Sequence, residues 1–163
     1  MEIKINDITR QQIKALAIKY LHIIGEDPFD NVTPLDGDND EMRSIAASAL
    51  GVSSETFKSL SFAASEDGLY GFNDVGMHTD SINPKGAVAL LIPVIGRGTF
   101  YHYGLKMKSY ERVIDTRFSM ADPRPVIFND RLPHNFIATM NCAALLFAIR
   151  AKKLSEISLD IIP

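Results

Sequence analysis

Between residues 13 and 24, apolar side chains recur at Ile13, Leu16, Ala17, Tyr20, Leu21 and Ile24. Spacings of three and four residues place them on one side of an α-helix. Asp7 or Thr9 supplies a start for it and Gly25 a stop. This helix carries packing and no chemistry. Residues 26–40 are polar and dense in turn formers. A second helix is predicted over about 41–50, capped by Asp40 and ended by Gly51, and a third, short one after Ser53 or Ser54.

From about residue 68 the texture changes to short apolar or alternating runs separated by Gly, Pro, Asn and Asp. Eight strands are predicted, at 69–73, 76–80, 87–95, 99–103, 112–118, 125–128, 134–139 and 142–150. Gly96-Arg97-Gly98 reads most simply as a hairpin turn between two of them. Helices first and strands afterwards predict an α+β domain. Eight short strands suit a jelly roll or closed sandwich, which hides its edges. The expectation is one domain over 1–163, with helical support in 1–65 and the β core in 66–151. The tail, 154–163, fits either a helical turn or an extended strand.

Composition narrows the class. The chain is 46% apolar, enough for a sizeable core, yet no run approaches a membrane span. The first residues lack the basic-then-apolar plan of a signal peptide, and a cytoplasmic protein is expected. Cys142 is the single cysteine, which excludes an internal disulfide and a multi-cysteine zinc site. Its apolar neighbours make it a small core side chain. Net charge is −3 with scattered basic residues, so nucleic acid is not a favoured partner. Asp36, Asp38 and Asp40 alternate as in a calcium loop, but the sixth and twelfth positions are Glu41 and Ala47 rather than Gly and Glu. A solvated loop is the better reading. Neither a nucleophile elbow nor a phosphate-binding glycine loop occurs.

The segment Gly76-Met77-His78-Thr79-Asp80 carries the chemistry. Strand residues two apart share a face, so His78 and Asp80 project together. Taken alone, such a pair reads more simply as a hydrogen-bonded couple. Its setting changes that reading. The pair lies early in the β-rich half, and four predicted strands separate it from His134, which follows a polar turn and opens a strand. An imidazole, a carboxylate and a second imidazole make a 2-His-1-carboxylate facial triad, which holds iron and leaves a face open. A double-stranded β-helix returns a side chain at the position of His134 to such a site. His102, mid-strand, is the reserve candidate, and His22 on the first helix is peripheral. Asp130 is either an acceptor that orients a ligand imidazole or a turn residue capping its own backbone.

Residues 68–150 resemble the Fe(II)/2-oxoglutarate-dependent dioxygenases, especially their prolyl-hydroxylase-like branch. Tyr70 to Asp80 is similar to that family's approach to its His-x-Asp strand. Pro125-Val-Ile-Phe-Asn-Asp-Arg-Leu-Pro-His134 is similar to its lead into the distal histidine. The resemblance covers about half the chain. It implies a double-stranded β-helix with supporting helices, Fe(II) held by His78, Asp80 and His134, and 2-oxoglutarate as co-substrate. It also implies release of succinate and CO2, with hydroxylation of a C–H bond.

The sequence departs from that pattern in one place. The branch carries a cation about ten residues beyond the distal histidine, where this chain has Ala144 and its neighbours Cys142, Ala143 and Leu145. Arg150 lies further along the same strand and shares a face with Ala144, Leu146 and Ala148. It is a candidate partner for the distal carboxylate of 2-oxoglutarate, as are Arg97, Lys106 and Lys85. Tyr70, Tyr101 and Tyr103 are candidate phenolic donors to the co-substrate or ordinary packing aromatics. The missing cation has three explanations: an unusual anchor, a different co-substrate, or lost activity. The rivals are therefore a binding or inhibitory protein on the same fold, and a cupin-like metalloenzyme with His102 as a fourth ligand. A chain this short leaves the cleft open, which suits a protein side chain slightly better than a tiny metabolite. The sequence does not define the oligomeric state.

Overall fold

The computed structural model describes residues 1–26, 32–34, 39–80, 84–106, 109–119 and 121–162; the side chains of 22–26, 32–34, 104–106 and 109–118 fall outside that description. Helix α1 spans Asp7–Glu26, with Ile13, Leu16 and Ala17 buried. Its N-terminus is capped one residue earlier than expected: Asn6 Oδ1 accepts the Thr9 N–H at 2.8 Å. Helix α2 (Asp40–Leu50) is likewise capped by Asn39 rather than Asp40, and ends on Gly51 in the left-handed region. Helix α3 (Ser54–Leu60) starts at an Ser53 cap. The acidic run around Asp36 and Asp38 lies outside the described residues.

The described residues form nine strands: β1 (Val32–Pro34), β2 (Gly68–Phe72), β3 (Val75–His78), β4 (Ala87–Ile95), β5 (Arg97–Lys106), β6 (Ser109–Ser119), β7 (Val126–Phe128), β8 (His134–Ala138) and β9 (Cys142–Arg150). A short helix, α4 (Ala151–Leu154), comes after them. Beyond it, Ile161 bridges back to Ile3, which resolves the tail as extended there. The strands form two antiparallel sheets, one ordered β1-β2-β9-β4-β7 and the other β3-β8-β5-β6. The short β1, paired with β2, has no counterpart among the expected strands.

The central strands β4 and β9 explain the layering. Their sequences, Ala-Val-Ala-Leu-Leu-Ile-Pro-Val-Ile and Cys-Ala-Ala-Leu-Leu-Phe-Ala-Ile-Arg, are apolar almost throughout because both faces are covered. Leu90, Ile92, Leu145, Phe147 and Ile149 meet the helices, packing with Leu16, Met42, Ile45 and Phe57. Ala89, Leu91 and Ala144 face the other way and pack with Phe100, Phe128 and Phe136 between the sheets. The space between the sheets is where the site lies.

Gly96-Arg97-Gly98 is not a hairpin. Strand β4 pairs with β7 and β9, whereas β5 pairs with β6 and β8. Gly96, at φ +96°, turns the chain from one sheet into the other. A Cβ there would stand 2.4 Å from the Asn141 carbonyl oxygen and 2.6 Å from Cys142 Sγ, so glycine is required. None of the described helices is long and apolar enough to cross a membrane.

Candidate metal centre

Strand β3 ends at His78 and strand β8 begins at His134, and the two residues are directly paired across the ladder. Paired residues share a face, and their imidazole centroids stand 4.3 Å apart. Asp80 lies just past β3. Its N–H donates to the Asp130 carbonyl at 2.7 Å, which folds the chain back over the ladder's end. The turn before His134 is closed by Asn129, whose Oδ1 accepts the Arg131 N–H at 3.1 Å and whose carbonyl accepts the Leu132 N–H at 3.1 Å. The turn-capping role open to Asp130 thus belongs to Asn129.

The imidazoles are oriented by the backbone. His78 Nδ1 lies 2.7 Å from the Gly76 carbonyl, and His134 Nδ1 lies 2.9 Å from the Leu132 carbonyl. A carbonyl only accepts, so each Nδ1 carries the hydrogen and each neutral ring presents its Nε2 lone pair. Both lone pairs aim at one carboxylate. His134 Nε2 is 3.2 Å from Asp80 Oδ2, and His78 Nε2 is 3.6 Å from Asp80 Oδ1. Phe128 packs edge-on against His134 at 5.0 Å between centroids.

Electron pairs converging in this way repel unless a proton or a metal cation sits among them. One ligand atom from each of His78, Asp80 and His134 falls within 4.8 Å of the others. Neighbouring donors of a six-coordinate ion with bonds of about 2.1 Å stand about 3 Å apart. The three residues therefore fit a metal ion. Two nitrogens and one oxygen are a donor set for a divalent metal ion, and the backbone carbonyls behind the rings supply the outer support that ligand imidazoles need.

His102 does not join them. It pairs with His134 from β5 and is buried, with its Nε2 bonded to the Asn129 carbonyl at 3.2 Å, but its nitrogens do not fall within the cluster of ligand atoms that His78, Asp80 and His134 form. Burial lowers its pKa, so it stays neutral. A four-ligand cupin-like site is thus unsupported by the described geometry.

A cavity of about 310 Å³ opens beside the triad. Most of its wall is apolar, with Phe72, Val75, Leu91, Phe100, Phe136 and Leu146. Of the described residues expected to hold a co-substrate, Tyr70 alone lines it. Its hydroxyl donates to the Glu66 carbonyl, and its phenol is pushed up to about 12, first by burial and then by the Glu66 and Asp67 carboxylates. Arg150 lies over the Phe62 ring at 4.1 Å. Arg97 is exposed at the sheet-to-sheet crossing, and Lys85 is exposed at the start of β4. Tyr103 is half-buried on β5, where its N–H meets the Pro133 carbonyl, and Tyr101 pairs with Asn135. The side chains of Lys106 and His22 lie outside the described residues.

Two wall residues, Glu66 and Asp67, escaped the sequence reading. Asp67 is buried, and its Oδ1 accepts the Ala148 N–H at 2.9 Å. Burial pushes its carboxyl up to about 6, against the opposing pull of that hydrogen bond and of Arg43. In sequence, Ser65-Glu66-Asp67-Gly68 reads as an ordinary polar turn before a strand. The one available signal was the pair of acidic residues abutting a predicted core strand. Compared with known proteins, the chain matches no family model, and no curated protein aligns with it significantly.

Proposed function

We propose that this chain is a mononuclear Fe(II) oxygenase that uses 2-oxoglutarate to hydroxylate a C–H bond. The observation that carries the reading is the convergence of two backbone-locked Nε2 lone pairs and one carboxylate beside a mainly apolar cavity. The strand order supports a double-stranded β-helix, or jelly roll. From β2 to β9 the chain alternates between layers β2-β9-β4-β7 and β3-β8-β5-β6, staying in one layer only for the β5–β6 hairpin. His78 and His134 then occupy the ends of two adjacent strands at one mouth of the roll.

Bound iron would supply dioxygen activation, which no side chain provides. His78, Asp80 and His134 would hold it on one face and leave the cavity side for ligands. The apolar wall would keep bulk water from the reacting centre. Arg150 is the proposed partner of the distal carboxylate of 2-oxoglutarate. It shares a face of β9 with the wall residues Leu146 and Ala148. To serve, its guanidinium must turn away from Phe62.

One observation favours a second reading. Among the described residues, the wall holds neither Lys nor Arg. A buried carboxylate needs a cation or several hydrogen-bond donors. The same triad would then serve an oxygenase whose organic ligand is not a dianion. Anaerobic titration with Fe(II), with and without 2-oxoglutarate, decides between them. A visible charge-transfer band that needs both components and vanishes in His134→Ala supports the first reading. Iron binding without the band supports the second, and no metal binding by the folded protein defeats both.

A further inference from the structure

Asp80 is the member of the triad that strand pairing does not place. Strand β3 stops at His78, and its ladder to β8 ends on the pair of His78 with His134. What ties Asp80 to the site is its own N–H, which donates to the Asp130 carbonyl at 2.7 Å. That carbonyl belongs to the peptide group whose other end is the Arg131 N–H, and a peptide group is planar and rigid. The Arg131 N–H is held in turn by Asn129 Oδ1 at 3.1 Å. One flat unit is thus gripped at both ends, by an asparagine side chain and by the backbone of a metal-ligand candidate. Asn129 is the anchored end. Its carbonyl accepts the Leu132 N–H at 3.1 Å and lies 3.2 Å from Nε2 of His102, a buried residue of β5. The Asn129 side chain is exposed, and the residue belongs neither to the cluster of ligand atoms nor to the cavity wall.

We propose that Asn129 is a positioning residue of the metal centre: its side chain sets the plane of the peptide between Asp130 and Arg131, and that peptide aims Asp80 at the metal. The inference rests on His78, Asp80 and His134 holding a metal ion, as proposed above, and not on the identity of the co-substrate or substrate. An Asn side chain that accepts an N–H two residues on fixes the turn around it. Without Oδ1 the peptide is free to tilt, and the Asp80 backbone bonded to its far end tilts with it. The two imidazoles do not depend on this peptide. His78 Nδ1 is held by the Gly76 carbonyl and His134 Nδ1 by the Leu132 carbonyl. Loss of Asn129 therefore strikes the carboxylate and spares the rings, and metal affinity falls because ligand geometry is as much a requirement as ligand identity.

The test is Co(II) titration of the wild type, Asn129→Ala, Asn129→Asp, Asn129→Ser and Ser53→Ala, with amide exchange of each metal-free protein followed by NMR. Ser53→Ala removes a side-chain cap from α3 and is the control for a merely structural loss. Asn129→Ala is expected to weaken Co(II) binding by about tenfold to a hundredfold, the range for groups that orient metal ligands. Exchange at the Asp80 amide should quicken in the same variant. Asn129→Asp and Asn129→Ser each keep an oxygen for the Arg131 N–H and should restore both readouts, the serine less fully. Ser53→Ala should lower thermal stability and leave Co(II) affinity where it was. If Asn129→Ala loses stability yet binds Co(II) as tightly as the wild type, or if Asn129→Asp and Asn129→Ser do no better than alanine, the proposal is overturned and the metal site stands. A folded wild type that takes up no Co(II) overturns the metal reading itself, and the role of Asn129 with it.

Discussion

His134 and Asp80 face each other at 3.2 Å, Nε2 to Oδ2, with the imidazole's other nitrogen bonded to the Leu132 carbonyl. Neither group can donate to the other while the histidine is neutral. The contact therefore calls for either a proton on the imidazole or a metal cation between the two groups, and it joins a residue on β8 to one just beyond β3.

Removing any member of the triad should abolish tight metal binding. His78→Ala, Asp80→Ala and His134→Ala are each expected to weaken Fe(II) or Co(II) affinity by more than about a hundredfold, beyond the losses seen for outer-sphere partners. The wild type should gain about 2–3 kcal/mol of stability at a metal concentration near a hundred times its dissociation constant. Thermal unfolding with and without metal reads both effects. A His134→Ala protein stabilised as strongly as the wild type would contradict the assignment.

His102 offers the matching control. It lies outside the cluster of ligand atoms and its Nε2 bonds the Asn129 carbonyl, so His102→Gln should keep the metal while losing about 1 kcal/mol of stability. Metal loss in His102→Gln without unfolding would revive a four-ligand site.

Asp67 should leave a mark on the pH dependence of stability. Its folded pKa, about 6, lies above the ordinary value of 3.8. Between these values the native state holds a proton that the unfolded chain has released. Stability from this group is thus complete below about pH 4 and is lost as pH rises through 6. Asp67→Asn keeps an acceptor for the Ala148 N–H and never ionises. It should be more stable than the wild type by about 1–3 kcal/mol at pH 7.5, and the gap should close toward pH 4. Urea unfolding of both proteins at the two pH values checks the sign.

Gly96→Ala should cost about 2–4 kcal/mol, from a left-handed backbone and a Cβ driven against Asn141 and Cys142. Equilibrium denaturation measures it. A loss under about 0.5 kcal/mol, the range of neutral surface changes, would mean that the crossing between sheets is looser than the structure has it.

Much of this was legible in the chain because the decisive signals are local. The stripe from Ile13 to Ala17, the turn residues and the apolar runs of β4 and β9 each report their own burial. His134 needed only a turn before a strand, but strand alternation does not explain Asp80: β3 stops at His78, and Asp80 reaches the site through its N–H bond to the Asp130 carbonyl. Two kinds of feature were not legible. Gly96-Arg97-Gly98 looks the same whether the next strand pairs beside the last or crosses to another sheet, since only long-range pairing separates the two. Asp67 reads as a turn residue because its burial depends on β9, far along the chain, passing over it. The caps shifted by one residue, to Asn6 and Asn39, for a smaller reason. Neighbouring Asn and Asp are near-equal N-cap residues, so the sequence alone does not rank them.

Among the described strands β3 stands at the border of its sheet, with β8 as its one neighbour and an irregular register between Val75 and His78. A metal ion bound by His78, Asp80 and His134 would rivet that outer strand to β8 at the point where the ladder stops. Amide exchange along 75–80 would then slow on metal uptake, and chelation would unfasten this margin long before the rest of the protein loosened.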